Sequence, residues 1–271
     1  MSVRADRLVR AARHVAYFRK AGRRGHARTI VDGMLRDDVV EFPMDYPVTT
    51  EIDFTDPRYN ECLSAFYATC TAHILSLVQG GEDVVVLCEG DPFFYGSFMH
   101  LHSRLKDHAP VAVVPGITGM SGAWTASGAP ITWGDDVLTV AMATLPEDEL
   151  TRRIAETDAL VVMKIGRHLP KLRRAIAAAG REGQAWLIEH AAQAAGAGPP
   201  AGRGRGRARP LFLDRADPWT GAATMSGWLI VAGLGPGAED MVTPEVSAAL
   251  ADATDVVGYI PYVARVPSGR A

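Results

Sequence analysis

Short apolar runs alternate with longer amphipathic stretches over the first 190 residues. Several of the runs are continuously apolar, as in strands whose sheet is covered by helices on both faces. They predict strands over these segments: His14–Phe18, Val39–Phe42, Val84–Cys88, Val111–Val114, Val137–Ala143, Ala159–Met163 and Ala185–Ile188. Strands separated by helices indicate an α/β protein with largely parallel sheets.

The clearest amphipathic stretch is Pro57–Val78. Its apolar residues recur every three or four positions and trace one stripe, as in a helix that packs on a core. The same periodicity predicts helices over Ser97–Lys106, Glu147–Glu156 and Leu169–Ala179.

The composition changes after His190. Residues 191–226 are rich in Ala, Gly, Pro and Arg, and they include the run Gly202-Arg203-Gly204-Arg205-Gly206-Arg207. Such a stretch buries too little apolar surface to offset its ordering entropy, so it is predicted to be a linker. An RNA-binding arm is the sharper alternative, but the run lacks interleaved aromatic residues for base stacking. Another alternative is that 210–217 is out-of-frame sequence.

The last 45 residues repeat the start of the chain. Trp228–Gly235 is predicted to be a strand that runs into the turn Gly233-Leu234-Gly235-Pro236-Gly237, followed by a helix over Pro244–Ala253 and a strand over Asp255–Ile260. Aligning Tyr259 with Tyr17 places Ala253 on Ala11. The second copy thus has a strand and a glycine loop before its helix, whereas the first copy is expected to lack both. One hypothesis is that Trp228–Gly237 occupies the first-strand position of the N-terminal sheet.

Charge and cysteine content narrow the functional classes. The formal net charge is −3, with both signs mixed along the chain, so no global field favours nucleic acid or membrane as a partner. Three cysteines without C-x-x-C spacing argue against a disulfide framework or a structural zinc and favour a reducing cytoplasm. Neither a signal peptide nor a membrane-spanning run is predicted, and His100 and His102 do not share a helix face as metal ligands would.

Three turns at predicted strand ends carry candidate chemistry. Leu87–Gly96, with the sequence LCEGDPFFYG, follows a buried strand, so it lies at the carboxyl edge of a sheet, where ligands bind in open α/β folds. Gly90 allows close approach of a ligand, and Asp91 either caps the next helix or receives a ligand's amino or hydroxyl group. The second turn, Val114–Gly122, offers small residues and hydroxyls. The third, Met163–Arg167, offers Lys164 and Arg167 to carboxylates, although such residues also occur simply as surface charges.

Taken together, these turns resemble the tetrapyrrole methylase family. The resemblance rests on Glu89-Gly90-Asp91-Pro92, on Val114-Pro115-Gly116-Ile117-Thr118 and on the terminal Gly-Leu-Gly-Pro-Gly. Tyr17–Arg23, Tyr46–Glu51 and Phe93–Phe98 are similar to precorrin-2 C20-methyltransferases over about residues 3–190. Residues 227–266 resemble the opening of precorrin-3B C17-methyltransferases.

The resemblance implies a fold of two α/β subdomains with S-adenosylmethionine bound in the cleft between them, usually as a homodimer. It divides the chain into an N-terminal subdomain over 1–115 that lacks its first strand and glycine loop, a C-terminal subdomain over 116–190, the linker over 191–226 and the start of a second methylase module over 227–271. The implied reaction is methyl transfer to C20 of precorrin-2 in cobalamin biosynthesis. The alternatives are a non-catalytic remnant of such an enzyme and a C20-methyltransferase for the cobalt-bound ring.

Site residues follow from the same resemblance, residue by residue. The cofactor contacts carry over to Gly90, Asp91, Phe94, Thr118, Gly119, Lys164 and Ile165. A basic rim just past the first predicted strand, which includes Arg19, Lys20 and Arg23, is a candidate for the carboxylates of the tetrapyrrole, with a solvated turn as the alternative. The catalytic base is not assigned, and the candidates are Glu89, Asp91, His100 and Glu51. No metal site is expected.

Overall fold

The chain divides into two units in the computed structural model, which describes residues 1–48, 56–188, 211–213, 230–234, 238–258, 263 and 266. One unit comprises 1–116 together with 225–271, and the other comprises 117–224. The elements in chain order are α1 (Val3–Ala11), β1 (His14–Lys20), α2 (His26–Ile30), β2 (Val40–Tyr46), α3 (Pro57–Gln79), β3 (Val84–Leu87), α4 (Phe98–Leu105), α5 (Gly119–Ser127), β4 (Leu138–Met142), α6 (Glu147–Ala155), β5 (Ala159–Met163), α7 (Leu169–Ala178), β6 (Ala185–Leu187), β7 (Leu211–Leu213) and α8 (Pro244–Asp252). The α/β fold class predicted from the sequence is confirmed.

A parallel sheet in the order β2-β1-β3 forms the centre of the first unit. Alternate side chains of β1 enter two separate cores, because successive residues of a strand point to opposite faces. Ala16 and Phe18 pack with α3 and α4, whereas Val15 and Tyr17 pack with α1 and α2. Burial on both faces explains why this strand has a continuous apolar run.

The long helix α3 begins where the sequence provides two start signals. The side chain of Asp56 accepts a hydrogen bond from the backbone N–H of Arg58, and Pro57 occupies the first turn, where a missing N–H costs nothing. Residues 62–79 carry no Asp, Glu, Lys or Arg, so the helix has the length and composition of a membrane span. Its buried residues, which include Tyr67 and Ile74, pack in the core of the first unit, as those of a core helix do.

The sheet of the second unit is mixed, in the order β4-β5-β7-β6. Strands β4 and β5 are parallel, whereas β7 is antiparallel to both β5 and β6. Leu160 and Val162 face α6 and α7, while Val161 and Met163 pack with residues of α5. The strand β7 lies within 191–226, so this part of the segment predicted to be a linker is an interior strand of the sheet, between β5 and β6.

Three strand predictions are wrong in the described residues. Val111–Val114 is not paired in a sheet, although Val111 and Val113 still contribute side chains to the α3–α4 core. Residues 230–234 and 255–258 are also outside any sheet, and Val231 is 90% exposed. The hypothesis that the segment around 230–234 fills a strand position in the N-terminal sheet is therefore wrong for these residues. An apolar run supplies burial, but a strand also needs a neighbour for its backbone groups.

The repeat of the N-terminal helix is present in the structure with a different alignment. Ser2 caps α1 and Thr243 caps α8, each by accepting a hydrogen bond from a backbone N–H three residues on. Both helices contain nine residues and end on an extended residue, Ala12 or Ala253. The helix ends therefore align Ala253 with Ala12, one residue away from the predicted pairing with Ala11. Within the same unit, the N–H of Val3 donates to the carbonyl of Val242 at 2.9 Å.

Candidate functional site

The turn after β3 exposes backbone at the carboxyl edge of the first sheet. Strand β3 ends at the buried Leu87, and Gly90 then adopts a φ of +67°, a left-handed conformation that glycine enters without a steric penalty. Gly90 and Glu89 are exposed, whereas Asp91 and Phe94 are half-buried. This turn thus exposes backbone groups at the edge of the sheet.

Asp91 joins two turns rather than capping a helix. Its Oδ1 accepts a hydrogen bond from the N–H of Phe93 at 2.9 Å, and its Oδ2 accepts one from the N–H of Gly116 at 3.0 Å. The next helix, α4, begins only at Phe98, so the predicted helix-capping role of Asp91 is wrong. Hydrogen bonds to a carboxylate are stronger than those between neutral groups, and the pair holds the 88–96 turn against the end of the 111–116 segment.

Gly116 is placed so close to Gly90 that no side chain fits. A Cβ atom at Gly116 would lie 2.1 Å from the carbonyl oxygen of Gly90 and 2.9 Å from its carbonyl carbon. Gly116 was part of the motif that carries the resemblance, but no role was assigned to it from the sequence. Glycine is needed at position 116 because there is no room for a Cβ atom, and not because of the backbone conformation, since the φ of Gly116 is not in the left-handed region.

A second link joins two segments singled out in the sequence. The hydroxyl groups of Tyr46, at the end of β2, and Ser97, just before α4, are in hydrogen-bond contact. The ring of Tyr46 stacks on Phe18 with centroids 5.4 Å apart and contacts Phe66 at 5.2 Å. Burial raises the pKa of Tyr46 above its ordinary value, so its phenol stays protonated. No role was assigned to Tyr46 or Ser97 from the sequence. The only signal for them was that both belong to motifs that carry the resemblance, Tyr46–Glu51 and Phe93–Phe98.

The predicted basic rim is only partly available. Arg19 forms a two-pronged ion pair with Asp45 of β2, with Nε and Oδ1 2.6 Å apart, because the parallel register places these residues side by side. Lys20 is exposed at the end of β1. Arg23 is exposed in the following turn and has no acidic partner among the described residues.

In the second unit, Thr118 and Gly119 lie at the start of α5. Thr118 is the N-cap, and its Oγ1 accepts a hydrogen bond from the N–H of Ser121 at 3.3 Å. Its hydroxyl is also 2.9 Å from the hydroxyl of Ser121. A Cβ at Gly119 would meet no atom within 4 Å, so this position is open space. The start of a helix directs backbone N–H groups outward, an arrangement that suits polar ligand groups.

Lys164 and Ile165 follow the end of β5. Lys164 is exposed and adopts a φ of +55°, which is uncommon for a residue other than glycine. Ile165 is fully buried in the core with Leu172, so only its backbone is available to a ligand.

The candidate catalytic residues have different surroundings. Glu89 is exposed in the turn after β3. His100, on α4, is also exposed, and its ring stacks on Tyr67 with centroids 4.7 Å apart. Glu51 lies outside the described residues. None of these contacts assigns a catalytic base. In the described part of the chain, no group of three or more His, Cys, Asp or Glu residues is arranged to hold a metal ion.

Both units are built from α-helices and β-strands, and the candidate ligand turns follow the carboxyl ends of the parallel strands β3 and β5. The model of the family described as Tetrapyrrole (Corrin/Porphyrin) Methylases matches residues 1–196. The chain is 44% identical to a precorrin-2 C(20)-methyltransferase of a Sinorhizobium species over 231 residues, which cover 84% of this chain and 90% of that protein.

Two further relatives extend the comparison. The chain is 40% identical to the cobalamin biosynthesis protein CobIJ of Mycobacterium bovis, over 98% of this chain and 53% of that protein, so it spans about half the length of this relative. The solved structure of a cobalt precorrin-4 methyltransferase matches with a TM-score of 0.58 and 16% identity, covering 79% of this chain and 88% of that one, and supports the fold.

The chain therefore belongs to the tetrapyrrole methylase family. It is an S-adenosylmethionine-dependent C-methyltransferase by this membership, as the sequence resemblance implied.

Proposed function

We propose that this chain transfers a methyl group from S-adenosylmethionine to C20 of precorrin-2 in corrin biosynthesis. The observation that carries the proposal is the 44% identity to a precorrin-2 C(20)-methyltransferase over 90% of that relative's length. The site geometry agrees with it, because the segments specific to the resemblance are also the ones that contact one another. Asp91 bonds to Gly116, and Tyr46 bonds to Ser97.

Two glycines of the first unit support binding of the methyl donor at this edge of the sheet. Gly90 is exposed in a left-handed conformation, and Gly116 packs without room for a Cβ, so the edge presents backbone groups rather than long side chains. We propose that Gly90, Asp91 and Phe94, together with the backbone at Thr118, Gly119, Lys164 and Ile165, hold the donor. The donor supplies an electrophilic methyl group on its sulfonium, so the protein's task is mainly to hold the reacting atoms in line.

The carboxylates of the ring need cations at the rim. We propose that Arg23 and Lys20 bind them directly, since Lys20 is exposed at the end of β1 and Arg23 is exposed in the turn that follows. Arg19 contributes through its pairing with Asp45, which holds its guanidinium at the same edge. The proton that leaves C20 after methylation requires an acceptor, and the candidates are Glu89, Asp91, His100 and Glu51.

The test is a methylation assay with a C-13-labelled methyl donor and precorrin-2, read by NMR at C20 and by mass spectrometry. The proposal predicts a single labelled methyl group at C20. If only the cobalt-bound ring is methylated, the substrate is the cobalt complex rather than precorrin-2. Absence of both product and calorimetric heat with S-adenosylmethionine would favour the non-catalytic remnant.

We also propose a homodimer in the cytoplasm. From residue 62 to residue 79, α3 carries no charged side chain, and its exposed positions there include Ala65, Ala68 and Ala72. A helix face without charges can be covered by a second copy at little desolvation cost. Free thiols at all three cysteines suit a reducing compartment. Light scattering on the purified chain tests the dimer, and a monomer at micromolar concentration contradicts it.

A further inference from the structure

The turn after β3 contains a tyrosine in a backbone conformation that disfavours tyrosine. Among the described residues other than glycine, only Tyr95 and Lys164 have a positive φ, at 54° and 55°. Each follows the carboxyl end of a strand, β3 in the first unit and β5 in the second. In the left-handed region the Cβ of an L-residue crowds the following carbonyl, so such residues persist only where their surroundings hold them and tend to occur at functional sites.

Contacts on both sides hold Tyr95 in this conformation. Before it, Asp91 accepts hydrogen bonds from the N–H groups of Phe93 and Gly116 at 2.9 and 3.0 Å. After it, Ser97 is bonded to the hydroxyl of Tyr46. The turn can therefore sustain a strained residue at position 95, although any residue that tolerates the left-handed region would satisfy the same backbone.

The fold itself makes little use of the side chain of Tyr95. The residue is 44% exposed, and among the described residues its one contact with another aromatic ring is with Phe94, edge to face at 4.9 Å. The neighbouring Phe93 is similarly exposed, but its ring packs on Phe98 and on His102 of α4. An exposed aromatic ring on a strained backbone costs stability without filling the core, which indicates a role outside the fold.

We infer that Tyr95 is a substrate-recognition residue, whose ring stacks on the conjugated face of the tetrapyrrole. The inference rests on the proposed function, which supplies a large flat π-system as substrate. Stacking needs an exposed ring that is fixed in orientation, and the two anchors of the turn provide that fixation. Position 95 also lies one residue from Phe94, a proposed donor contact, so the turn would serve both ligands.

The experiment uses three variants of the full chain. Tyr95→Gly and Tyr95→Asn both tolerate the left-handed backbone but remove the ring, whereas Tyr95→Phe keeps the ring and loses only the hydroxyl. We expect the first two to melt at the same temperature as the wild type or higher. Their dissociation constant for precorrin-2 should rise about tenfold by fluorescence titration, with calorimetric binding of S-adenosylmethionine unchanged. Tyr95→Phe should stay within about twofold of the wild type for both ligands.

Three results would overturn the inference. A lower melting temperature in Tyr95→Asn together with Tyr95→Gly would make the ring a packing element. Weakened donor binding with unchanged precorrin-2 binding would place Tyr95 in the donor site, and unchanged binding of both ligands would leave it no recognition role. Failure of the proposed function itself is distinguishable, because the wild-type chain would then not bind precorrin-2 at all.

Discussion

Replacing Gly116 with alanine tests the close packing of the two turns. The new Cβ would lie 2.1 Å from the carbonyl oxygen of Gly90, and real Cβ atoms essentially never approach within 3.0 Å. The obstacle is backbone rather than a flexible side chain, so the 88–96 turn and the 111–116 segment must separate by nearly 1 Å. The hydrogen bond from the N–H of Gly116 to Oδ2 of Asp91, now 3.0 Å long, would stretch to about 4 Å and be lost.

The lost hydrogen bond and the steric overlap together set the expected loss of unfolding free energy. Loss of a hydrogen bond to a charged acceptor costs about 1.5–3 kcal/mol, and overpacking against backbone adds about 1–3 kcal/mol. We therefore expect Gly116→Ala to lose about 3–5 kcal/mol of unfolding free energy, which lowers the melting temperature by about 10 °C. Since a displacement near 1 Å disturbs the alignment of reacting groups, methyl transfer should fall by about 100-fold.

Differential scanning calorimetry and the methylation assay measure both quantities. Gly183→Ala is the matched control, because a Cβ at Gly183 meets nothing within 4 Å and its φ is not in the left-handed region. The control should keep the stability and activity of the wild type. A Gly116→Ala protein with wild-type melting temperature and activity would refute the packing argument, and equal losses in both variants would show that the effect is not specific to the site.

Three further predictions concern charge and pH. Changing Arg19 and Arg23 together to alanine should weaken tetrapyrrole binding about tenfold and leave donor binding intact, as measured by titration with each ligand; unchanged tetrapyrrole binding removes the rim from the site. Glu41→Gln should lower the unfolding free energy by about 1–2 kcal/mol in urea titration, since Arg28 donates two hydrogen bonds of 2.9 Å to this carboxylate. Hydrogen bonds from Arg28, opposed by burial, lower the pKa of Glu41. The stabilisation by this carboxylate is therefore present above its usual pKa and is lost as the pH falls through the folded-state pKa. A difference in unfolding free energy between variant and wild type that does not change with pH would contradict this prediction. Burial raises the pKa of the Cys88 thiol from 9.0 to about 12. The thiol therefore loses its proton at lower pH in the unfolded chain than in the folded one, and the unfolding free energy falls as the pH rises from about 9 toward 12. Cys88→Ala should flatten that decline, and an unchanged slope of unfolding free energy against pH would contradict the prediction.

The periodicity of apolar residues predicted helices and strands correctly where a segment is buried by its neighbours in sequence. The predicted strand Ala159–Met163 coincides with β5, and Pro57–Val78 differs from α3 by one residue, because capping signals and apolar stripes are local. The same reasoning was wrong for Val111–Val114, which is flanked by Pro110 and Pro115 and has no strand partner. It also missed β7, three residues inside an otherwise polar and glycine-rich segment.

The candidate site shows the same division. Gly90 and Asp91 were singled out from sequence because a glycine turn after a buried strand lies at the edge of a sheet, whereas Phe94 came from the resemblance to the family. The partners of Asp91 and the contact between Tyr46 and Ser97 were not foreseen, because residues 25 and 51 positions apart in the chain meet only when strands and helices pack. Arg19 was expected to face the substrate, but its pairing with Asp45 depends on the register of β1 and β2.

The amino-acid sequence alone determined the α/β class, most of the helix and strand positions and the family, since these depend on local patterns and on motifs that survive divergence. Only the tertiary structure decided which backbone groups Asp91 holds, why Gly116 must lack a side chain and where Tyr95 is strained. These properties depend on distances of a few ångströms between segments that are remote in the chain. Local propensity has no access to such distances, because they are set by packing of the whole unit.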